Sequence, residues 1–364
     1  MNKKDLIQQE CLDAIGDQMY AGAVLGTGAG KTRLGLKHMM KNLRSFSKFL
    51  VVIPKNALID EWINQAKDAG FNELIPRIDF TTYISLHKQS FDYDCVYFDE
   101  CHNAKKKHGD WIRRYQGPVI GLTGTYPRYL NSESGMVCSE FFPKVYEYSI
   151  KEGISDNMLN DYKIYIHMLE LDHRRTIITK KSSMSEQAHY KMHCNFVDNA
   201  KASQVMMKRI MRMKAMQSYS TKVKYAKRLL EQQVEKTLVF TDYTDQADII
   251  CEHTYHSKNK SSKENLDMFK NGEIDKLASV QQIAEGANIP NLKVGIILHA
   301  YANEKKLPQK IGRFLRLNPN DKATIHVLCY KDTIDVTWLK SALKSFDKSK
   351  IFKYDTKKTY SAVQ

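Results

Sequence analysis

The sequence lacks the features that would place it among secreted or membrane proteins. It contains seven cysteines, an odd number, and no two of them are spaced as C-x-x-C. The N-terminus has no apolar core of signal-peptide length, and no run approaches the ~18 consecutive apolar residues of a membrane span. We therefore expect a soluble cytoplasmic protein without disulfides, a zinc site or a membrane partner.

Acidic residues are scarce relative to basic ones. The chain has 56 Lys and Arg against 41 Asp and Glu, a formal net charge of +15. Such an excess favours a polyanionic partner, with nucleic acid as the first candidate, although charge can also serve solubility alone. The length of 364 residues is enough for two domains of ordinary size, each with its own core.

A glycine-rich segment near the N-terminus has the layout of a phosphate-binding loop. It follows the apolar run 20–25 and precedes a segment with helical spacing. Backbone N–H groups can approach a polyphosphate there, Lys31 can reach the β- and γ-phosphates, and the Thr32 hydroxyl can bind Mg²⁺. Leu25 stands where the strict pattern has Gly or Ala, and an ordinary glycine turn is the alternative. The predicted phosphate-contacting residues are Gly26, Thr27, Gly28, Ala29, Gly30, Lys31 and Thr32.

Apolar runs alternate with segments of helical spacing along the whole chain. The predicted strands are 20–25, 49–53, 81–84, 95–98, 118–122, 162–168, 237–240, 277–280, 294–298 and 324–328. This alternation predicts an α/β fold with two doubly wound parallel sheets, in domains 1–148 and 149–364, with functional residues at the carboxyl ends of the strands. The region 200–233 is predicted to be mostly helical. Its methionines at 206, 207, 211, 213 and 216 are expected to pack in a helix core or between domains.

An acidic pair, Asp99 and Glu100, directly follows the apolar run 95–98. One carboxylate at such a strand end can hold Mg²⁺ through water, and its neighbour can polarise the attacking water. A solvated pair of surface carboxylates is the alternative reading. The phosphate loop some seventy residues upstream favours the catalytic one.

A basic segment, 309–316, carries Gln309, Arg313 and Arg316. A helix would place the two arginines, three positions apart, on one face. Guanidinium groups can neutralise charge on a γ-phosphate during phosphoryl transfer. A basic helix facing solvent is the alternative.

Taken in order, these motifs resemble the superfamily 2 helicases of the DExH type. Among these the sequence is most similar to phage and repair helicases related to type III restriction motors and the excision-repair helicase. The resemblance covers nearly the whole chain and implies two RecA-like domains, ATP with Mg²⁺ in a cleft between them, and a nucleic-acid strand across both. It rests on Gln8, the loop 26–32, Pro54-Lys55, Asp99-Glu100-Cys101-His102, Thr123-Gly124-Thr125, 285–290 and 309–316.

The resemblance also implies roles for individual residues. Gln8 would read adenine, Asp99 would serve the metal together with Thr32, and Glu100 would activate water. Arg316 would be the arginine finger. Further family-implied residues are the γ-phosphate sensors Gln309 and Arg313, the ATP contacts Gly286 and Asn288, and the coupling residues His102, Thr123 and Thr125.

Two further departures from the family pattern concern the nucleotide site. Gly124 replaces the usual Ala, and Asn288 stands where an Asp usually contacts ribose. Because an amide oxygen still accepts a hydrogen bond, we expect tuned affinity rather than lost activity. The family implies sequence-independent contacts to a nucleic-acid backbone. The residues expected to make them are Pro54, Lys55, Asn56, Thr82, Tyr83, Thr241 and Asp242.

The predicted function is an ATP-dependent helicase or translocase that acts on single-stranded or branched DNA in replication, recombination or repair. Three alternatives stay open: a translocase that displaces proteins without unwinding, an ATP-gated nucleic-acid clamp, and, less favoured, an RNA helicase. A small-molecule kinase would leave 309–316 unexplained. Because the motifs begin at Gln8 and end near 316, we expect a bare motor core of the kind found in viral enzymes. A protein partner would then supply specificity.

Overall fold

The computed structural model describes residues 3–26, 28–127, 129–156, 158–178, 182–280, 289–301, 306–315, 321–344 and 346–355. Four residues that the sequence assigned to the nucleotide site lie outside these ranges: Thr27, Gly286, Asn288 and Arg316. The chain divides into two compact units, Met1–Asn160 and Asp161–Gln364. Within the described ranges, no helix is both long enough and apolar enough to cross a membrane.

Helices and strands alternate through both units. The described helices are α1 Lys3–Ile15, α2 Lys31–Asn42, α3 Ile59–Asp68, α4 Lys106–Ile112, α5 Glu133–Phe141, α6 Ile150–Ser155, α7 Glu186–Asp198, α8 Val205–Gln217, α9 Ser220–Glu231, α10 Thr244–Ile250, α11 Ser262–Asn271, α12 Lys306–Ile311 and α13 Ile334–Ala342. The described strands are β1 Tyr20–Leu25, β2 Phe49–Ile53, β3 Ile78–Thr82, β4 Cys95–Asp99, β5 Val119–Thr123, β6 Lys144–Tyr148, β7 Asp161–Leu169, β8 Ile177–Ile178, β9 Ser183–Met184, β10 Thr237–Thr241, β11 Thr254–Tyr255, β12 Lys276–Val280, β13 Val294–Ile297, β14 Lys322–Tyr330 and β15 Ile351–Asp355.

The first unit is built on a six-stranded parallel sheet in the order β3-β2-β4-β5-β1-β6. Every residue of β2, β4 and β5 is buried, as uninterrupted apolar runs require when helices cover both sheet faces. The strand predicted over 81–84 lies at 78–82 instead. The chain turns after Thr82, where the Ser85 N–H donates to the Thr82 carbonyl oxygen at 3.0 Å, and Ile84 is exposed in this turn.

The second unit contains a seven-stranded parallel sheet in the order β11-β12-β10-β13-β14-β7-β15. All five strands predicted in this half of the sequence are present, so the doubly wound parallel plan is confirmed in each unit. The edge strand β15 was not predicted. Its sequence has neither a continuous apolar run nor a clean alternation of apolar and polar residues. Phe352, Lys353 and Tyr354 are all exposed in it.

Residues 149–156 and 158–160 belong to the first unit. The Tyr148 hydroxyl donates a hydrogen bond to Asp156 Oδ2 at 2.9 Å, and Leu159 lies against the glycine-rich loop at Gly28. The compact division therefore falls at 160/161. The functional boundary at 148/149 stays a prediction.

The methionines of α8 differ from the expectation. Met216 is buried, but Met206, Met207 and Met211 are 69%, 53% and 41% exposed. No residue from 205 to 215 is buried. Along this stretch α8 packs mainly against α7, which covers only one of its sides. The prediction of a helix core is therefore wrong for these three methionines.

Candidate nucleotide-binding site

The glycine-rich loop connects the end of β1 to the start of α2. Gly28 and Gly30 have φ values of +91° and +84°, a left-handed conformation that glycine adopts at low cost. A Cβ atom at Gly30 would lie 2.5 Å from Gln8 Nε2, and one at Gly28 would lie 2.8 Å from Leu159. The backbone conformation therefore favours glycine at these two positions, and any other residue would also have to displace the ends of the Gln8 and Leu159 side chains.

The two departures within described residues have structural explanations. The Leu25 side chain is fully buried in the apolar core of the first unit, so it does not crowd the loop. A Cβ atom at Gly124 would lie 3.2 Å from Lys31 Nζ. The missing methyl group therefore gives the lysine ammonium additional room.

Lys31, at the first position of α2, forms an ion pair with the second carboxylate of the acidic motif. Its Nζ lies 3.1 Å from Glu100 Oε1. Burial acts to raise the pKa of Glu100, but the charges of Lys31 and then His102 outweigh it and lower that pKa to about 2. Glu100 is therefore ionised at neutral pH, as a group that orients water must be.

Asp99 occupies the opposite electrostatic situation one residue earlier. Its side chain is buried, and its Oδ2 accepts a hydrogen bond from Trp62 Nε1 at 3.2 Å. Burial, and next the charge of Glu100, raise the pKa of Asp99 to about 7. A divalent cation would favour the ionised form and relieve this repulsion. The carboxylate of Asp99 and the hydroxyl of Thr32 thus fit the hard oxygen donors that Mg²⁺ prefers.

The three predicted coupling residues form one hydrogen-bonded group with Glu100. His102 Nδ1 lies 2.7 Å from Thr123 Oγ1 and 3.3 Å from Glu100 Oε2. The Thr125 N–H donates to Thr123 Oγ1 at 3.1 Å. A displacement of the segment after β5 would therefore be transmitted to the carboxylate.

Gln8 on α1 reaches the loop directly. Its side chain is buried, and Nε2 donates to the carbonyl oxygens of Ala29 and Gly30 at 3.2 and 3.4 Å. The adenine contact stays a prediction. The observed contact joins α1 to the phosphate loop.

Two aromatic residues support the acidic motif in ways that the motif pattern did not indicate. The Tyr83 hydroxyl donates to the carbonyl oxygens of Asp99 and Glu100 at 2.8 and 3.1 Å. These bonds hold Glu100 at a φ of +51°, which is uncommon for a residue with a side chain. Trp62 belongs to none of the motifs. Its one polar atom was the available signal, because a buried indole N–H usually has an acceptor.

Tyr83 had been predicted to contact nucleic acid, and its side chain is only 8% exposed. Such a contact would require the side chain to leave the carbonyl groups that it now binds. The other predicted contacts of the first unit differ. Lys55 and Asn56 are exposed, and they follow β2, whose last residue, Ile53, pairs with Thr82 of β3. Pro54 is half-buried beside them.

In the second unit, the predicted strand-contacting residues are engaged within the protein. Thr241 is fully buried, and its hydroxyl donates to the Tyr243 carbonyl oxygen at 3.2 Å. Asp242 accepts hydrogen bonds from the Tyr301 hydroxyl at 2.8 Å and from Gln217 Nε2 at 3.1 Å. Their predicted contact with nucleic acid stays untested.

The arginine-bearing segment is only partly helical. Gln309 lies on α12, which ends at Ile311, so the helix that would place Arg313 and Arg316 on one face does not extend to Arg313. Beyond Ile311 the backbone leaves the α-helical pattern: the Arg313 N–H donates to the carbonyl oxygen of Lys310, three residues earlier, at 3.2 Å. Side chains of Gln309 and Arg313 are both half-buried.

Two families match the sequence. Residues 5–128 match the type III restriction enzyme res subunit, and residues 221–318 match the helicase conserved C-terminal domain. The chain is 23% identical to the DNA 3'-5' translocase XPB2 of Sulfurisphaera tokodaii over 350 residues, covering 86% of this chain and 78% of that protein.

The chain carries the two domains of a superfamily 2 helicase and is similar to the type III restriction and XPB group.

Solved structures show the fold of this superfamily 2 helicase. The DNA-bound restriction-modification enzyme LlaBIII aligns with a TM-score of 0.63 at 13% identity, over 98% of this chain but only 31% of that enzyme. The helicase domain of Hef from Pyrococcus furiosus aligns with a TM-score of 0.52 at 15% identity, over 94% and 97% of the two chains. With the two parallel sheets, these similarities establish two RecA-like domains.

The two matched ranges of the helicase contain the motif residues of both units. The first contains the phosphate loop, the acidic pair and the coupling group, and the second contains Asp242 and all of 309–316. Trp62 and Tyr301 also lie within these ranges, although neither belongs to a motif. The α7–α8 hairpin lies between the matched ranges.

Proposed function

We propose that this superfamily 2 helicase binds and hydrolyses ATP with Mg²⁺ and uses the energy to move along DNA. The observation that carries the proposal is the acidic pair. At the end of β4, Glu100 Oε1 lies 3.1 Å from Lys31 Nζ, whereas the buried Asp99 accepts a hydrogen bond from Trp62 Nε1 at 3.2 Å, and these surroundings raise the pKa of Asp99 and lower that of Glu100. Such separation assigns different roles to similar groups. Asp99 is suited to a cation and Glu100 to a water molecule.

The phosphates would be held by Lys31 and by N–H groups of the loop, with Thr32 and Asp99 on the metal. When bound, Mg²⁺ would neutralise part of the negative charge on the phosphates. Lys31 would turn from Glu100 toward the phosphates, and this would release Glu100 to orient a water molecule. Hydrogen bonds from His102 and Thr123 would keep the carboxylate in place during this exchange.

DNA is the proposed track for two reasons. The similar archaeal protein is a DNA translocase, and the chain has a net charge of +15, which suits a polyanion. Lys55 and Asn56 provide an exposed cation and an exposed amide at the carboxyl edge of the first sheet. We propose contacts with phosphates there, and single-stranded or branched DNA as the preferred form.

An assay with two substrates separates unwinding from translocation alone. One is a forked DNA with a labelled strand, and the other is a single strand with a protein block at one end. We expect ATP-dependent release of the labelled strand. Release of the block without strand separation would instead identify a translocase that displaces proteins. Failure on both substrates, with ATP hydrolysis intact, would contradict movement along DNA.

A further inference from the structure

One lysine of the arginine-bearing segment is buried rather than exposed to solvent. Lys310 on α12 is only 3% exposed. Its ammonium group donates a hydrogen bond to the Tyr301 hydroxyl and lies 4.6 and 5.0 Å from the ring centres of Tyr301 and Phe240. Burying an ammonium group is costly unless hydrogen bonds and a nearby negative charge offset its loss of hydration.

Tyr301 connects this ammonium group to the segment that follows β10. Its hydroxyl donates to Asp242 Oδ1 at 2.8 Å. The second oxygen of Asp242 accepts a hydrogen bond from Gln217 Nε2. The backbone carbonyl oxygen of Gln217 accepts one from Gln246 Nε2 at 2.6 Å. The result is a continuous chain of polar contacts from Lys310 through Tyr301 to Asp242.

We propose that Tyr301 and Lys310 are positioning residues that couple the segment after β10 to the arginine-bearing segment. Thr241 and Asp242 are the residues of this unit that the sequence predicts to contact nucleic acid, and Arg313 follows Lys310 by less than one helical turn. A nucleic-acid strand that displaces Asp242 would also displace Tyr301, and through Tyr301 it would displace Lys310. The contacts move together because separating a buried ion from its partner is costly. Arg313 moves with Lys310. The inference rests on the proposed function and adds the route by which nucleic acid stimulates hydrolysis.

The charge of Lys310 makes this coupling sensitive to alkaline pH. Burial lowers the pKa of Lys310 to about 8, Asp242 opposes the effect, and Lys306 adds to it. The other titratable groups nearby are Tyr301, whose pKa burial raises, and His299, whose pKa burial lowers. Both are uncharged near pH 8, so Lys310 is the group that changes charge. The coupling therefore weakens as the pH rises through about 8.

The first test is Tyr301→Phe, which removes the bridging hydroxyl and retains the ring. The measured quantity is the ratio of ATP hydrolysis rates with and without saturating single-stranded DNA. We expect this ratio to fall by at least about fivefold, within the usual range of coupling energies. Tyr354→Phe is the matched control, since this exposed tyrosine of β15 lies outside the polar chain. It retains the wild-type ratio.

The second test is Lys310→Arg, which keeps the positive charge at high pH. Wild-type stimulation declines above about pH 8, whereas stimulation of Lys310→Arg persists to higher pH. Identical alkaline limbs for the two proteins, or equal ratios for Tyr301→Phe and Tyr354→Phe, would overturn the coupling. A wild-type protein that no nucleic acid stimulates would instead overturn the proposed function. Thermal melting of each variant identifies any that fails to fold, and the other test then decides.

Discussion

At the scale of single residues, the contact between Lys31 and Glu100 defines what the acidic pair can do. The ion pair keeps Glu100 ionised, and His102 and Thr123 hold the carboxylate from the other side. A carboxylate that is charged and held in place can orient water at once, without first losing a proton. We therefore expect this side chain to be dispensable for binding nucleotide and required for hydrolysis.

The first prediction concerns Glu100→Gln. We expect ATP hydrolysis to fall by about 10²–10⁴-fold, the usual contribution of a positioned acid or base. ATP binding, measured with a fluorescent analogue, should be retained. Lys31→Ala is the comparison, because loss of the phosphate-binding cation should weaken binding itself. Hydrolysis near the wild-type rate in Glu100→Gln would exclude the proposed role.

The second prediction concerns the hydroxyl of Tyr83. Removing it in Tyr83→Phe leaves the carbonyl groups of Asp99 and Glu100 without this donor, and we expect the free energy of unfolding to fall by about 1–3 kcal/mol. The hydrolysis rate should fall as well, because the backbone that positions Glu100 is loosened. Thermal melting and steady-state kinetics measure the two effects. Weakened DNA binding with unchanged hydrolysis would instead favour the direct contact predicted from the sequence.

At the scale of elements, two histidines join the neighbouring strands β7 and β14. His167 Nε2 lies 2.9 Å from His326 Nδ1, and the Tyr225 hydroxyl on α9 lies 2.7 Å from His167 Nδ1. Burial lowers the pKa of His167 to about 4, and burial with the neighbouring His167 lowers that of His326 to about 3. Both side chains are therefore neutral in the folded protein at pH 5.

This pair predicts a loss of stability in mild acid. The unfolded chain binds protons at these histidines below about pH 6.5 and the folded chain does not, so stability is lost as the pH falls from 6.5 toward 4. At pH 5 the free energy of unfolding is therefore lower by about 2 kcal/mol for each histidine. The double variant His167→Gln with His326→Gln should lose less melting temperature between pH 7 and pH 5 than the wild type. His87→Gln, at an exposed site, is the control, and an equal loss in all three proteins would contradict the prediction.

The elements also show how far pattern reasoning extends. Strands such as β2 and β4 are buried on both faces, so their apolar runs identified them directly. The edge strand β15 has only one neighbouring strand and an exposed surface, and its sequence carries no such signal. The methionines of α8 misled for a related reason. Apolar composition indicates what could be buried, whereas the partner that buries it is decided by the tertiary structure.

The residues of the candidate site likewise fall into those that the sequence could predict and those that it could not. Motif residues such as Lys31 and Glu100 could be predicted because the chemistry of phosphate binding fixes residue types at short spacings. Trp62, Tyr301 and Lys310 could not be assigned their contacts from spacing. Their partners lie in other elements, and only the folded chain brings them together.

At the scale of the whole molecule, two parallel-sheet units each carry part of the helicase motifs. The first contains the phosphate loop, the acidic pair and the group around His102. The second contains the polar chain from Asp242 to Lys310. The net charge of +15 adds a long-range attraction to polyanions that salt should weaken. Together these features support a motor that DNA stimulates.

The most direct test is steady-state ATP hydrolysis without nucleic acid and with single-stranded DNA, forked DNA and RNA, each at low and raised salt. A motor that binds DNA phosphates should be strongly stimulated by DNA, less by RNA, and progressively less as salt increases. A rate that no nucleic acid changes at either salt concentration would contradict the account.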